Sequence, residues 1–236
     1  MKKKSLSSLK LAQESISCAF RKLQKKCDLV MEDGILNCPG YAKARVRILW
    51  ILKQDYVESG AGEESYAKRM RDAINNGTIQ RSPTWRRMSQ VSYGILNNVT
   101  SFAELPDANQ CAEELLNTAV IESNKELGSP RSSTQDIIAG FHKYKDLIFR
   151  QIDLYDPNII IVCMDESLKE IPASIYSHLT LKHEYNAEWG MCASSRLDGK
   201  LLLWAYHPSA TVGCDGGITD KAYYDAIYTC CANWKR

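Results

Sequence analysis

The chain has 236 residues, is 44% hydrophobic and carries a formal charge of +2. That is enough apolar material for one domain of ordinary α/β size, and no apolar run approaches the roughly 20 residues that span a bilayer, which speaks against a membrane protein. The small basic excess permits nucleic acid as a partner without requiring it, since tight non-specific binders carry a stronger one.

In chain order, MKKK reads as a solvated terminus. SLKLAQESISCAFRKLQKKCDLV behind it has apolar residues at helical spacing. MEDGILNCPG, with Gly34 and the Pro39-Gly40 pair, reads as a break. Residues 1–44 are therefore expected to be a helix and linker packed on a domain spanning 45–236. RVRILWIL, from Arg45, is short and apolar throughout, as a strand buried on both faces must be, and is expected to end at KQDYVESG. Glu63 to Asn76 reads as a helix stopped at Gly77. Ser82 and Pro83 open another as N-cap and first helical residue, expected to end near Gly94. A polar connection leads to TAVI, a second strand running into Glu122, Ser123, Asn124 and Lys125. Thr134 or Ser133 caps a long helix through QDIIAGFHKYKDLIFRQIDLY, closed by Asp156-Pro157. NIIIVCM and KLLLWAYHPS supply the third and fourth strands, and Thr219 caps a last helix. Alternating short strands and helices predict a three-layer α/β/α fold around a mainly parallel sheet of about four strands.

Nine cysteines stand at 18, 27, 38, 111, 163, 192, 214, 230 and 231 without a CxxC, and no apolar leader is read ahead of them. They are expected to be reduced thiols in a cytoplasmic protein. On a helix, adjacent Cys230 and Cys231 point about 100° apart, so no metal site is expected.

Parallel sheets bind ligands at the carboxyl ends of their strands. Three expected strand ends carry polar groups there: Gln54 and Asp55, then Glu122 and Asn124, then His207 and Ser209. The series ILKQDY, VIESNK and AYHPS resembles, in order and placement, the uracil-DNA glycosylase superfamily. There GQDPY follows the first strand in one branch, a uracil-reading Asn the second, and HPS the last. The resemblance covers roughly Arg45 to Trp234 and is closest to a divergent bacterial-type branch. Lys53 and Tyr56 stand where GQDPY has glycine and proline, and Thr211 and Val212 stand where one branch has a wedging leucine.

The resemblance implies a DNA glycosylase acting on uracil or a related damaged base, with DNA as partner, no cofactor, and a monomeric state. Asp55 would face the positive charge that develops on the sugar, and His207 the negative charge on the departing base. Asn124, with Glu122 as its rival, would read the base edge, and Gln54 and Tyr56 share the first loop. Lys53, Ser209, Thr211 and Val212 would contact the nucleic acid, and Trp85 or Tyr93 would stack the extruded base.

Structural readings stand beside these. Asp55 could cap a turn, His207 could end an edge strand, Asn124 could shape a loop, and Trp85, Tyr93, Trp189 and Trp204 could be packing groups. His142, His178 and His183 read as solvated or structurally paired. The alternative function is an inactive relative that binds nucleic acid or a nucleotide, or serves as an interaction protein. Absence of GxGxxG and GxxxxGK[ST] after the first strand disfavours an ordinary nucleotide enzyme, and Cys163 or Cys214 with His207 would be needed for a thiol hydrolase.

Overall fold

The computed structural model describes residues 4–26, 30–56, 65–128, 132–181, 186–188, 192–197, 199–210 and 217–234, with side chains at 56, 186–188 and 192–197 left outside the description. Helix α1 (Leu6–Gln24) precedes strand β1 (Gly34–Ile35) and helix α2 (Cys38–Lys43). Strand β2 (Ile48–Tyr56) leads through α3 (Tyr66–Asn75), α4 (Pro83–Asn97) and α5 (Ala108–Leu115) to β3 (Ala119–Gly128). Helix α6 (Thr134–Tyr155) connects to β4 (Ile159–Cys163), and α7 (Glu170–His178), β5 (Asn186–Glu188), β6 (Cys192–Leu197), β7 (Lys200–Ala205) and α8 (Asp220–Trp234) follow.

One sheet of seven strands has the order β1-β3-β2-β4-β7-β6-β5. Its centre, β3-β2-β4-β7, is parallel, and its flanks are antiparallel. The expected four strands are this parallel centre, so the count of about four is corrected to seven among the described residues. β1 and β5 have two and three residues, too few to show a period. β6, CASSRL, has little apolar character of its own and takes its register from the β7 ladder.

The central strands are apolar throughout because both faces are covered. Ile48, Trp50, Leu52, Ile159, Ile161, Leu201 and Leu203 enter one core with residues of α3, α4, α5 and α8. Leu49, Ile51, Ile160, Val162 and Leu202 enter the other with α1, α6 and α7. The arrangement is compatible with three α/β/α layers. Among the described residues no helix is long and apolar enough to cross a membrane.

Residues 30–44 are more than a linker. Asp33 is buried beside β3, where it accepts from the Glu122 backbone N–H at 2.7 Å and pairs with Lys125 at 2.7 Å. Its other oxygen accepts from Gln151 of α6 at 2.8 Å. Carboxylate, ammonium and amide satisfy one another there, as burial of charge demands.

Three expectations change at element ends. β2 and β3 do not stop short of KQDY and ESNK: Leu52 pairs with Glu122 and Gln54 with Asn124, and the register shifts only before Tyr56. The polar connection before β3 contains α5, which Asp107 caps. Helix α4, capped by Ser82 as expected, passes Gly94 and ends at Asn97, with Asn98 left-handed at φ 58. Gly94 serves the crossing with α8 instead, since a Cβ there would lie 2.1 Å from the Tyr224 hydroxyl oxygen. That hydroxyl donates to Val99 O at 2.6 Å, so the ring is anchored.

Gly94→Ala should therefore lower stability by about 1–3 kcal/mol, the usual cost of forcing an extra carbon into a packed core. Urea unfolding measures it, and an unchanged midpoint would show that Tyr224 moves aside freely.

Candidate active site

The crossover from β2 leads to β3 on one side, and the one from β4 leads to β7 on the other. Adjacent strands with diverging connections open a crevice at their carboxyl ends, where ligands of such sheets sit. Here β2 brings Lys53 and Asp55, and the chain beyond β4 brings Asp165. Lys53 forms an ion pair with Asp165 beyond the adjacent strand β4, and the Lys53 carbonyl accepts from the Ser123 hydroxyl. Asp165 also accepts from the Ser167 backbone at 3.1 Å, and with Lys53 and Ser167 as donors its carboxyl stays below the usual range although burial opposes this.

His207 follows β7 in a tight turn. Ala210 N–H donates to His207 O at 2.8 Å, with Pro208 in the second position, where its fixed φ favours a turn. Ser209 N–H donates to His207 Nδ1 at 3.3 Å, and the Ser209 hydroxyl lies 2.8 Å from the same nitrogen. A backbone N–H can only donate, so Nδ1 is an acceptor and the neutral ring carries its proton on Nε2. Burial, reinforced by the Lys53 cation and opposed by Asp165, pushes the His207 pKa down to about 4. The ring is neutral at pH 7, and the stability tied to that state is lost as pH falls from 6.5 through about 4.

This turn is held from α4 by a residue that carried no signal in the sequence. Arg87 donates to Pro208 O at 2.6 Å and Ala210 O at 3.1 Å. It also donates to Ile218 O, and to Asp220 at 2.8 Å. A basic pair such as Arg86-Arg87 on a helix reads as solvent-facing, yet Arg87 is 7% exposed.

Asp55 forms an ion pair with Arg69 of α3 and is 15% exposed at its side chain. Glu122 is buried, and its Oε2 has no hydrogen-bond partner among the described residues. Burial first, then the charges of Asp55 and Asp33, hold its carboxyl well above the usual range, against Lys125 and Arg69. Asp55 and Glu122 are thus close enough to interact, with Asp55 clamped by an arginine and Glu122 shifted toward its acid form. Asn124 is turned elsewhere. Its side-chain oxygen accepts from Glu126 N–H at 3.1 Å, and its amide packs on Gly140 of α6, where an added Cβ would come within 2.1 Å. Asn124 sits within β3, paired with Gln54, rather than in the loop of its structural reading. Gln54 donates to Glu126 O at 2.9 Å, and the side chain of Tyr56 lies outside the described residues.

Trp85 donates to the Tyr66 hydroxyl at 3.1 Å and meets that ring edge-on at 6.3 Å, which places it in the α3–α4 contact. Tyr93 lies about 12 Å further along α4, toward the end where Arg45 reaches Ile95 O, and is not brought to the crevice. Trp204 packs on the α6–α7 side and donates to Met164 O at 2.7 Å. His142 pairs with Glu170 at 2.6 Å and His178 with Asp153 at 2.9 Å. The Cys163 thiol is pushed up to about 12 by burial, which denies it thiolate character. Thr211, Val212, Cys214, His183 and Trp189 lie outside the described residues. Among those described, no group of three or more His, Cys, Asp or Glu side chains converges as metal ligands.

Compared with protein families and with curated proteins, the chain matches none.

Glu122 has a pH signature. Above about pH 4.5 the folded chain retains a proton that the unfolded chain has released, so the stability Glu122 confers is lost as pH rises through its raised folded value. Glu122→Gln keeps the shape without that dependence. The gap in Tm between variant and wild type should widen in the variant's favour from pH 5 to pH 9, and parallel Tm–pH curves would show that Glu122 ionises normally.

Proposed function

We propose that the carboxyl edge of the sheet hydrolyses the N-glycosidic bond of uracil or a related damaged base in DNA, in a fold like that of the uracil-DNA glycosylases. The observation that carries this reading is the His207 turn. It presents a neutral imidazole, with its proton on the outer nitrogen, at the edge that also bears Asp55.

As the bond from C1′ to the base nitrogen breaks, its electron pair passes to the base. A fixed N–H donor at the base oxygen stabilises that charge, at no reorganisation cost during reaction. The Asp55 carboxylate stabilises the positive sugar and takes a proton from the water whose oxygen bonds to C1′. In this reading Lys53 and Ser209 would contact the phosphates of an approaching strand.

A specific observation favours the second reading, a relative that binds nucleic acid without cleaving it. Asp55 and Lys53 are each held by an opposite charge, Arg69 and Asp165. In that state neither offers its full charge to sugar or phosphate.

Incubation with uracil-containing single- and double-stranded oligonucleotides, followed by alkaline cleavage at abasic sites, tests the proposal. Wild type should release uracil, and Asp55→Asn or His207→Ala should each lower kcat by about 10²–10³-fold, the usual effect of losing one preorganised charge partner, with KM little changed. Salt-sensitive retention of the oligonucleotides with no uracil release would replace it with the binding reading, in which Lys53→Ala weakens retention and flattens its salt dependence.

A further inference from the structure

We infer that Arg87 is the positioning residue for His207: a single buried guanidinium clasps both ends of the segment that follows the histidine and thereby holds the imidazole in one orientation and one tautomer. The inference gives the proposed reaction a second-layer residue, and so rests on that reading for its functional meaning, but its geometry stands by itself.

Arginine carries five N–H donors in a rigid planar fork. Four of the five are engaged here. Nη1 donates to the carbonyls of Pro208 and Ala210, at the near end of the segment. Nη2 donates to the Ile218 carbonyl at the far end, and Nε to Asp220 in the first turn of α8. The Tyr223 ring lies 5.7 Å from the cation, and its hydroxyl donates to Tyr206 O at 3.0 Å. Residues 206, 208, 210, 218 and 220 are thereby tied to one group on α4 or to the ring it rests on.

The clasp acts on His207 through the turn. Pro208 and Ala210 flank Ser209, whose N–H faces Nδ1 and sets the ring's proton on Nε2. Holding both neighbouring carbonyls fixes the Ser209 peptide, and with it the donor that orients the ring. The charged groups acting on the imidazole are Lys53 of β2 and Asp165 after β4. Neither belongs to the clasp, so loosening the clasp leaves their charges in place and changes only how the ring meets them and the solvent. Asp220, which balances Arg87, is shared with Arg86 at 2.7 Å. A lysine in place of Arg87 keeps the charge but offers a compact ammonium that cannot reach carbonyls at both ends of the segment.

NMR titration of His207, assigned by comparison with His207→Gln, reads the effect without any activity. In wild type His207 should titrate near 4, with ring-nitrogen shifts showing the proton on Nε2. In Arg87→Lys the apparent pKa should rise by one unit or more toward 6.5, with both tautomers populated. Asp220→Asn, which weakens the clasp without removing the guanidinium, should shift it the same way by less, and it carries the test if Arg87→Lys does not fold. Gly94→Ala, a destabilised control outside the segment, should leave the titration unchanged. A folded Arg87→Lys in which His207 keeps the wild-type pKa and tautomer overturns the inference. So does an unchanged titration in Asp220→Asn, or an equal shift in Gly94→Ala. Failure to release uracil would count against the glycosylase reading and leave this result where it stands.

Discussion

The pairing of β2 with β4, from Ile48 with Ile159 to Ile51 with Val162, is the constraint from which the rest follows. Both strands are buried on both faces, so each requires helices above and below the sheet. The crossovers leave the pair in opposite directions, α3 to α5 toward β3 and α7 toward β7. That divergence brings the polar residues just past the apolar runs of β2 and β4 together at the carboxyl edge, where such sheets bind ligands. The HPS turn comes to the same edge because β7 is the next parallel strand beyond β4.

Charge is distributed differently at this edge and beneath it. At the edge, Lys53 pairs with Asp165, Arg69 with Asp55, and Arg86 and Arg87 with Asp220. The Lys53 pair is partly exposed, and ion pairs of that kind contribute only about 0–1 kcal/mol, so exchange of one partner for a ligand phosphate is cheap. Lys125 with Asp33 is fully buried, where removing one partner typically costs about 3–5 kcal/mol. The rim can rearrange its charges, whereas the base of the site cannot. Asp33 also anchors residues ahead of β1 to β3 and α6, which ties the N-terminal part of the chain to the floor beneath Glu122.

Glu122 and Asp55 show how neighbouring carboxyls meet different surroundings. Asp55 meets a guanidinium, while burial and the charges of Asp55 and Asp33, opposed by Lys125 and Arg69, push the Glu122 carboxyl well above the usual range. Separation of two acidic groups by their surroundings is a common basis for dividing acid and base roles. Here burial comes first for Glu122, while Arg69 of α3 pairs with Asp55 of β2 and the Glu122 Oε2 remains without a hydrogen-bond partner among the described residues.

Features formed within a few residues were legible in the sequence. The Ser82 cap, a cap at Thr134 or Ser133, which the structure places at Ser133, and the stop at Asp156 use hydrogen bonds that span three or four residues. The four central strands were legible because burial on both faces demands unbroken apolar runs. β1, β5 and β6 were not, since their pairing is supplied by neighbours rather than by their own composition. Within the site, residue types placed His207 and Asp55 at the right edge, but the sequence could not choose between Asn124 and Glu122, two residues apart on one strand. The fold packs Asn124 on Gly140 of α6 and sets Glu122 within the influence of Asp55. Arg87 lies 121 residues from Pro208 along the chain, and only the fold brings them together. Local hydrogen bonds and burial patterns are properties of short segments, so the sequence by itself determined them. The ionisation of Glu122, the clamp on Asp55 and the clasp on the His207 turn depend on charges brought together from distant segments, and these the tertiary structure alone decided.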